Sequence, residues 1–244
     1  MLTWRRKKHS QRLPDGLRIY AIGDVHGRAD LLDRVLSRID AHIVANPVAQ
    51  PLHLLVGDYI DRGPASREVL DLLIDCMQGR EMVLLRGNHD VFLKEFLANP
   101  ELLRDWSRLG GLETLMSYGL KPPLTSDTKT QKELATALNA VLPASHRHFF
   151  DRLLPSFSCG GYYFAHAGVR PGIALADQRD EDLLWIRDEF LLCEEDFGKI
   201  VVHGHSPVRD IDIRPNRINI DTGAYATGRL SCLVLESDRA EPLF

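Results

Sequence analysis

Gly57-Asp58-Tyr59-Ile60-Asp61-Arg62-Gly63-Pro64 is the stretch on which the reading of this chain turns. Just before it, Leu52-His53-Leu54-Leu55-Val56 is a short apolar run suited to a buried strand. Just after it, Gly63-Pro64 breaks the backbone, and Ala65 to Met77 reads as a helix. Two carboxylates and a guanidinium therefore sit in a strand-to-helix turn, at the edge where open α/β sheets present ligands. Taken singly, an Asp after a strand is a turn former or helix cap, and Arg-Gly-Pro is a turn. The stretch carries chemistry only if other strands deliver compatible groups to the same edge.

Its neighbours do so. Upstream, Arg18-Ile19-Tyr20-Ala21-Ile22 reads as a core strand and runs into Gly23-Asp24-Val25-His26-Gly27. A helix follows, with Leu31, Leu32, Val35, Leu36, Ile39 and Ile43 at helical spacing. Downstream, Met82-Val83-Leu84-Leu85 is a third strand that ends in Arg86-Gly87-Asn88-His89-Asp90. The order β-α-β-α-β predicts parallel strands with right-handed crossovers. Each strand ends in a glycine plus a side chain able to bind a metal.

From Val91 to about Leu142 the pattern is helical, broken at Pro100 and Pro122-Pro123. Trp106, Leu109, Leu112 and Leu115 read there as a packing face, and Thr125 to Thr130 as an exposed loop. In the second half, Gly161 to Ala165 leads into His166-Ala167-Gly168, and Lys199 to Val202 into His203-Gly204-His205-Ser206-Pro207. Arg217 to Ile220 leads into Asp221-Thr222-Gly223, and Leu230 to Leu235 is a last apolar strand. These short strands predict a second sheet packed on the first. Residues 1–16 are expected to be a flexible tail before one domain, 17–244, with a helical insertion around 91–150.

Composition bounds the partners. With 244 residues the chain can bury a large core, and its apolar (44%) and charged (26%) shares are those of a globular protein. The net charge of −4 argues against a nucleic-acid binder. The basic run Arg5-Arg6-Lys7-Lys8 lacks the apolar stretch of a secretory signal, and nothing reaches membrane-span length. Cys76, Cys159, Cys193 and Cys232 form no CxxC pair, so reduced thiols and a cytoplasmic location are expected.

The strand-end groups are Asp24, His26, Asp58, Asn88, His166 and His205, all oxygen or imidazole donors and none a thiolate. That mix suits divalent ions such as Mn²⁺, Fe²⁺ or Zn²⁺ in a reactive site. Asp58, from the middle of the three parallel segments, is the candidate to bridge two ions.

GDVHG, GDYIDRGP, RGNHD, HAG and HGHSP, in this order, resemble the metallophosphoesterase (calcineurin-like) superfamily. The Asp61-Arg62-Gly63 extension is similar to its phosphoprotein phosphatase branch, which contains the serine/threonine phosphatases. The resemblance covers about Ile19 to Leu235 and implies two mixed β-sheets packed as a central sandwich flanked by helices. It implies one metal held by Asp24, His26 and Asp58, and a second held by Asp58, Asn88, His166 and His205. Pro207 stands where other branches place a further histidine, and His203 reads as packed behind the site.

The mechanism so implied is direct attack on phosphorus by a metal-bridging hydroxide, with His89 as general acid. Asp61 orients His89 by resemblance, although spacing equally permits Asp90. Arg62 and Arg187, with Asn88, are the expected phosphate-binding residues. Arg86 reads as a loop brace, and Asp221 as either an acceptor behind the His205 loop or a turn former. Asp90 stands where the protein phosphatases commonly have Glu, which bears on any arginine that acid would brace. The expected function is a serine/threonine protein phosphatase with two divalent ions, manganese first, acting on a phosphoprotein or phosphopeptide. The alternative is a dinucleoside tetraphosphate hydrolase, whose second motif is expected to carry Ala at the Asp61 position. A non-catalytic scaffold is disfavoured, because all six ligand candidates and His89 are retained.

Overall fold

The computed structural model describes residues 12–122 and 127–244. Its elements begin with β1 (Leu17–Ile22), α1 (Ala29–Ala45), β2 (Gln50–Leu55), α2 (Ser66–Cys76) and β3 (Met82–Leu84). Five helices follow: α3 (Asn88–Ala98), α4 (Leu103–Arg108), α5 (Gly111–Ser117), α6 (Thr128–Val141) and α7 (Ala144–Asp151). Then come β4 (Ser156–Cys159), β5 (Tyr162–Ala165), α8 (Asp180–Trp185), α9 (Asp188–Leu191) and β6 (Ile200–His203). The chain closes with β7 (Asp212–Ile213), β8 (Arg217–Asn219), α10 (Ala224–Thr227), β9 (Cys232–Glu236) and β10 (Arg239–Pro242).

Two five-stranded mixed sheets result, in the orders β10-β9-β1-β2-β3 and β4-β5-β6-β8-β7. β1, β2 and β3 are parallel, as are β5, β6 and β8. The period-2 alternation of strands decides which side chains meet between the sheets. Ile19 and Ala21 of β1, Leu54 of β2, Tyr162 and Phe164 of β5, and Ile200 and Val202 of β6 share one buried core. Their alternates Tyr20, Ile22 and Leu55 face a second core built with α1, α2 and the 88–151 helices. Tyr163, Ala165 and Val201 face a third, smaller core with α8 and α9.

The last apolar strand does not join the second sheet. β9 pairs antiparallel with β1, Cys232 opposite Ile22, and β10 pairs with β9 at the edge. Leu233 and Leu235 thereby fill the sandwich core from the first sheet. β4, β7 and β10 are short edge strands without a strong apolar alternation, and the sequence pattern did not reveal them. α3 starts at Asn88, three residues before the expected helical region, so Asn88, His89 and Asp90 form its first turn. Of the expected 125–130 loop, residues 125 and 126 lie outside the described residues. Thr128 to Thr130 open α6, whose first turn is capped by Asp127 accepting from the Thr130 N–H at 2.8 Å. Residues 1–11 of the expected tail also lie outside the described residues, whereas Leu13 is buried and donates its N–H to Ser237 O.

Candidate metal centre

The C-terminal ends of β1, β2, β3, β5 and β6 deliver five loops to one edge of the sandwich. Two of these loops approach too closely for any side chain between them. A Cβ on Gly87 would lie 2.1 Å from Asp58 Oδ1, and one on Gly57 would lie 2.5 Å from the Gly87 N. Asp90 pins the same junction. Its Oδ2 accepts the N–H of Asp58 and of Gly87, both at 2.8 Å, and its Oδ1 accepts that of Tyr59 at 2.9 Å. Asp90 therefore braces backbone rather than an arginine, and the shorter acid serves that purpose.

His26, Asp58, Asp61, Arg62 and His205 all have positive φ, between 45° and 72°. Each such non-glycine residue costs on the order of 1 kcal/mol, and hydrogen bonds from the neighbouring loops hold it in place. The His26 N–H donates to Asp58 O at 2.8 Å, the Arg62 N–H to Gly110 O at 3.1 Å, and the His205 N–H to Asp24 Oδ2 at 2.9 Å. The strain turns these side chains inward.

The result is a set of nitrogen and oxygen donors that converge, with the ring tautomers of His26 and His166 fixed by carbonyl partners. His26 Nδ1 lies 3.0 Å from Ile60 O and His166 Nδ1 3.0 Å from Val56 O, so each ring donates there. Each Nε2 then turns a lone pair inward, 3.5 Å and 3.4 Å respectively from Asp58 Oδ2. Asn88 Oδ1 lies 2.9 Å from His166 Nε2 and 2.8 Å from His205 Nδ1. Burial pushes His26 down to about 3 and also lowers His166 and His205, keeping the imidazoles neutral. Burial alone would raise Asp58, and it is positive charge among the surrounding rings, His166 first, that draws it below the usual carboxylate range. Such an arrangement repels itself unless a cation sits in it, and it fits divalent metal ions.

Among the described residues two triples each bring three ligand atoms within 4.8 Å of one another, His26/Asp58/His89 and Asp58/His166/His205. Asp58 is common to both. Asp24 lies outside these triples, yet its Oδ1 is buried with no hydrogen-bond partner. Burial, with the charges of Asp221 and Asp58, raises its pKa well above the ordinary value, as expected of an uncompensated buried carboxylate. His89 is already engaged on both ring nitrogens, so Asp24 is the better candidate ligand beside His26.

His89 Nδ1 stands 2.8 Å from Asp61 Oδ2, and its Nε2 lies 3.0 Å from Arg62 Nη2. This settles the choice of partner in favour of Asp61 over Asp90. Asp61 is held by two residues whose sequence context read as packing or was silent. Trp106 donates its indole N–H to Oδ2 at 2.9 Å, and Thr114 donates its hydroxyl to Oδ1 at 2.6 Å. Trp106 does pack, against Phe96, but its N–H needed a buried acceptor. The Arg62 guanidinium also lies over the Tyr225 ring, 4.7 Å from its centroid, and Tyr225 meets His26 edge-on.

The remaining expectations fall as follows. Arg187 is exposed at the start of α9, and its charge acts on His166, His205 and Asp221. Arg86 reaches Asp180 at the start of α8 and braces that segment. His203 packs its ring edge-on against Phe190 behind the site. Asp221 accepts the Gly223 N–H at 2.8 Å as a turn former, while its backbone carbonyl accepts from Val208 in the loop after His205.

The family model for calcineurin-like phosphoesterases matches residues 17–234, nearly the whole described domain. The chain belongs to that family. It is a hydrolase of the metallophosphoesterase type, for which the family implies divalent metal ions. It is 28% identical over 231 residues to a bis(5'-nucleosyl)-tetraphosphatase PrpE (asymmetrical) of Anoxybacillus flavithermus (strain DSM 21510 / WK1), covering 87% of this chain and 88% of the relative. A PrpE of the same name from Geobacillus sp. (strain WCH70) is 25% identical over 88% and 89% of the two chains. A solved cold-active protein-tyrosine phosphatase of a psychrophile Shewanella sp. shares the fold. Its TM-score is 0.60 at 16% identity, over 98% of this chain and 85% of that one.

Proposed function

We propose that this protein hydrolyses dinucleoside tetraphosphates, using water to cleave a phosphoanhydride bond. The observation that carries this reading is the run of similarity, over nearly nine-tenths of both chains, to relatives bearing that name. The site is chemically compatible. Asp24, His26 and Asp58 would hold one divalent ion, and Asp58, Asn88, His166 and His205 a second. Their nitrogen and oxygen donors favour Mn²⁺, with Fe or Zn as other occupants. When bound, the ions supply positive charge to the phosphoryl oxygens and lower the pKa of water.

The chain's own residues do the rest. Arg62 Nη2, now at His89 Nε2, turns to the phosphoryl oxygens when substrate arrives, as the Arg187 guanidinium does from the other side. That frees His89 Nε2 to carry a proton. Asp61 keeps the ring oriented through Nδ1 and balances its charge, so Nε2 donates to the departing oxygen. Asp58 also fixes the helix that carries His89, accepting the His89 N–H at 3.0 Å.

The Asp61–His89 pair favours a second reading, a serine/threonine protein phosphatase acting on a phosphopeptide. An alkoxide leaving group needs a proton far more than a phosphate oxygen does. The test is to reconstitute the protein with Mn²⁺ and compare kcat/KM for diadenosine tetraphosphate and a phosphoserine peptide. Preference for the dinucleotide is expected, and cleavage of the peptide without the dinucleotide would replace the first reading by the second. We place the activity in the cytoplasm, in keeping with the four unpaired cysteines. No described helix is long and apolar enough to cross a membrane.

A further inference from the structure

We infer that the groove lined by Trp185, Arg179 and Arg187 receives one nucleoside of the substrate, its base stacked on the Trp185 ring. This rests on the dinucleotide reading above and names the specificity-determining residue for it.

The groove encloses about 410 Å³, room for a nucleoside. Trp185 is 43% exposed although it sits at the last residue of α8, next to the metal cluster. Its ring lies 6.1 Å from the His205 ring and 6.3 Å from Phe92, both near-perpendicular. Among the described aromatic rings none lies parallel to it. Trp185 is thus part-exposed, without a stacked ring partner among the described residues, and within one ring's reach of a candidate metal ligand.

The groove lining carries both signs, Arg170, Arg179 and Arg187 beside Glu181, Asp182, Asp188 and Glu189, and the arginines differ in how far those acids engage them. Arg170 is committed, with Asp182 at 2.6 Å and Glu189 at 2.6 Å, and Arg179 lies 3.8 Å from Glu181. Arg187 has neither an ion pair nor a side-chain hydrogen bond among the described residues, yet it lies two positions from Trp185 and lines the same groove. A polyphosphate held at the metal cluster would have Arg187 and Trp185 together in the groove to receive its far end. Tyr225, on the His26 side, has the Arg62 guanidinium 4.7 Å from its ring centroid before substrate arrives, whereas no described cation lies over the Trp185 ring.

A planar base on an exposed indole is retained by stacking, which a phosphoserine side chain cannot supply. Trp185→Ala should raise KM for diadenosine tetraphosphate about tenfold while kcat stays within about twofold. Trp185→Leu, apolar but without a π face, should behave like the alanine variant, and Trp185→Phe should recover most of the loss. KM for the phosphoserine peptide should not move in any of the three.

AMP provides a readout that does not depend on dinucleotide turnover. Its Ki as a competitive inhibitor of p-nitrophenyl phosphate hydrolysis should weaken about tenfold in the Ala and Leu variants. If the wild type ignores diadenosine tetraphosphate yet AMP inhibition depends on Trp185, the functional reading fails and the nucleoside subsite stands. If KM and AMP Ki are unchanged in folded Trp185→Leu, the subsite is refuted whatever the substrate.

Discussion

Asp61 and His89 are joined Oδ2 to Nδ1 at 2.8 Å, both buried, although 28 residues separate them. Burial is the largest influence on each group. It raises Asp61, and for His89 it is overcome by the Asp58 and Asp61 charges, so the imidazole pKa is raised. The Asp61 carboxylate thus orients the His89 ring through Nδ1 and favours its charged form.

Replacing His89 with Asn tests that role by leaving-group dependence. The loss on a phosphoserine peptide should be about 100- to 10,000-fold, the range for a lost general acid. On diadenosine tetraphosphate, whose departing phosphate oxygen is weakly basic, it should stay under about tenfold. Equal losses measured on the two substrates would count against proton donation.

The same residue determines a pH limb. A general acid works while protonated, so the rate on the peptide should hold at low pH and fall as pH rises through the His89 pKa. The Asp58 and Asp61 charges raise that pKa in the metal-free protein, and cations bound at Asp58 offset the Asp58 share, leaving Asp61 to hold the proton. A pH–kcat profile of the wild type and of His89→Asn, which should lack this limb, checks the assignment.

Asp58→Asn should abolish tight binding of both metal ions, because its Oδ2 faces both ligand sets. Asp24→Asn should weaken chiefly the ion it would share with His26, since Asp24 meets the His205 loop through the His205 backbone N–H rather than its ring. Metal content after dialysis, read by elemental analysis, distinguishes the two. Two tightly bound ions in Asp58→Asn would place the bridge elsewhere.

Trp106→Phe keeps the ring that packs on Phe96 but removes the N–H donated to Asp61. A lost hydrogen bond to a buried carboxylate should cost about 1–3 kcal/mol in chemical denaturation. It should also lower turnover of the peptide more than that of the dinucleotide, since Asp61 acts through His89. An unchanged unfolding midpoint would show that the indole N–H contributes little.

Much of the scaffold was legible from alternation. Ile19/Ala21 against Tyr20/Ile22 states which faces of β1 are buried, and both are, as a central strand requires. The second-sheet strands at Tyr162 and Ile200 were equally plain. The Leu230 to Leu235 strand was assigned to the wrong sheet because a two-sided apolar run carries no mark of its partner. Only the antiparallel register of Cys232 on Ile22 supplies it. The site was legible to the extent that each donor follows a strand and a glycine.

By itself the sequence determined the identity and order of the donor groups, the β-α-β-α-β opening and the family that these motifs resemble. Each of those is local, carried by spacing within one strand and its turn. Tertiary structure decided that Asp61 rather than Asp90 meets His89, that Trp106 and Thr114 hold Asp61, and that Trp185 stands exposed beside His205. Trp106 and Thr114 lie 45 and 53 residues from Asp61 along the chain. Hydrogen bonds across such separations leave no periodic trace, because they are set by how loops and helices pack rather than by how any one of them is patterned.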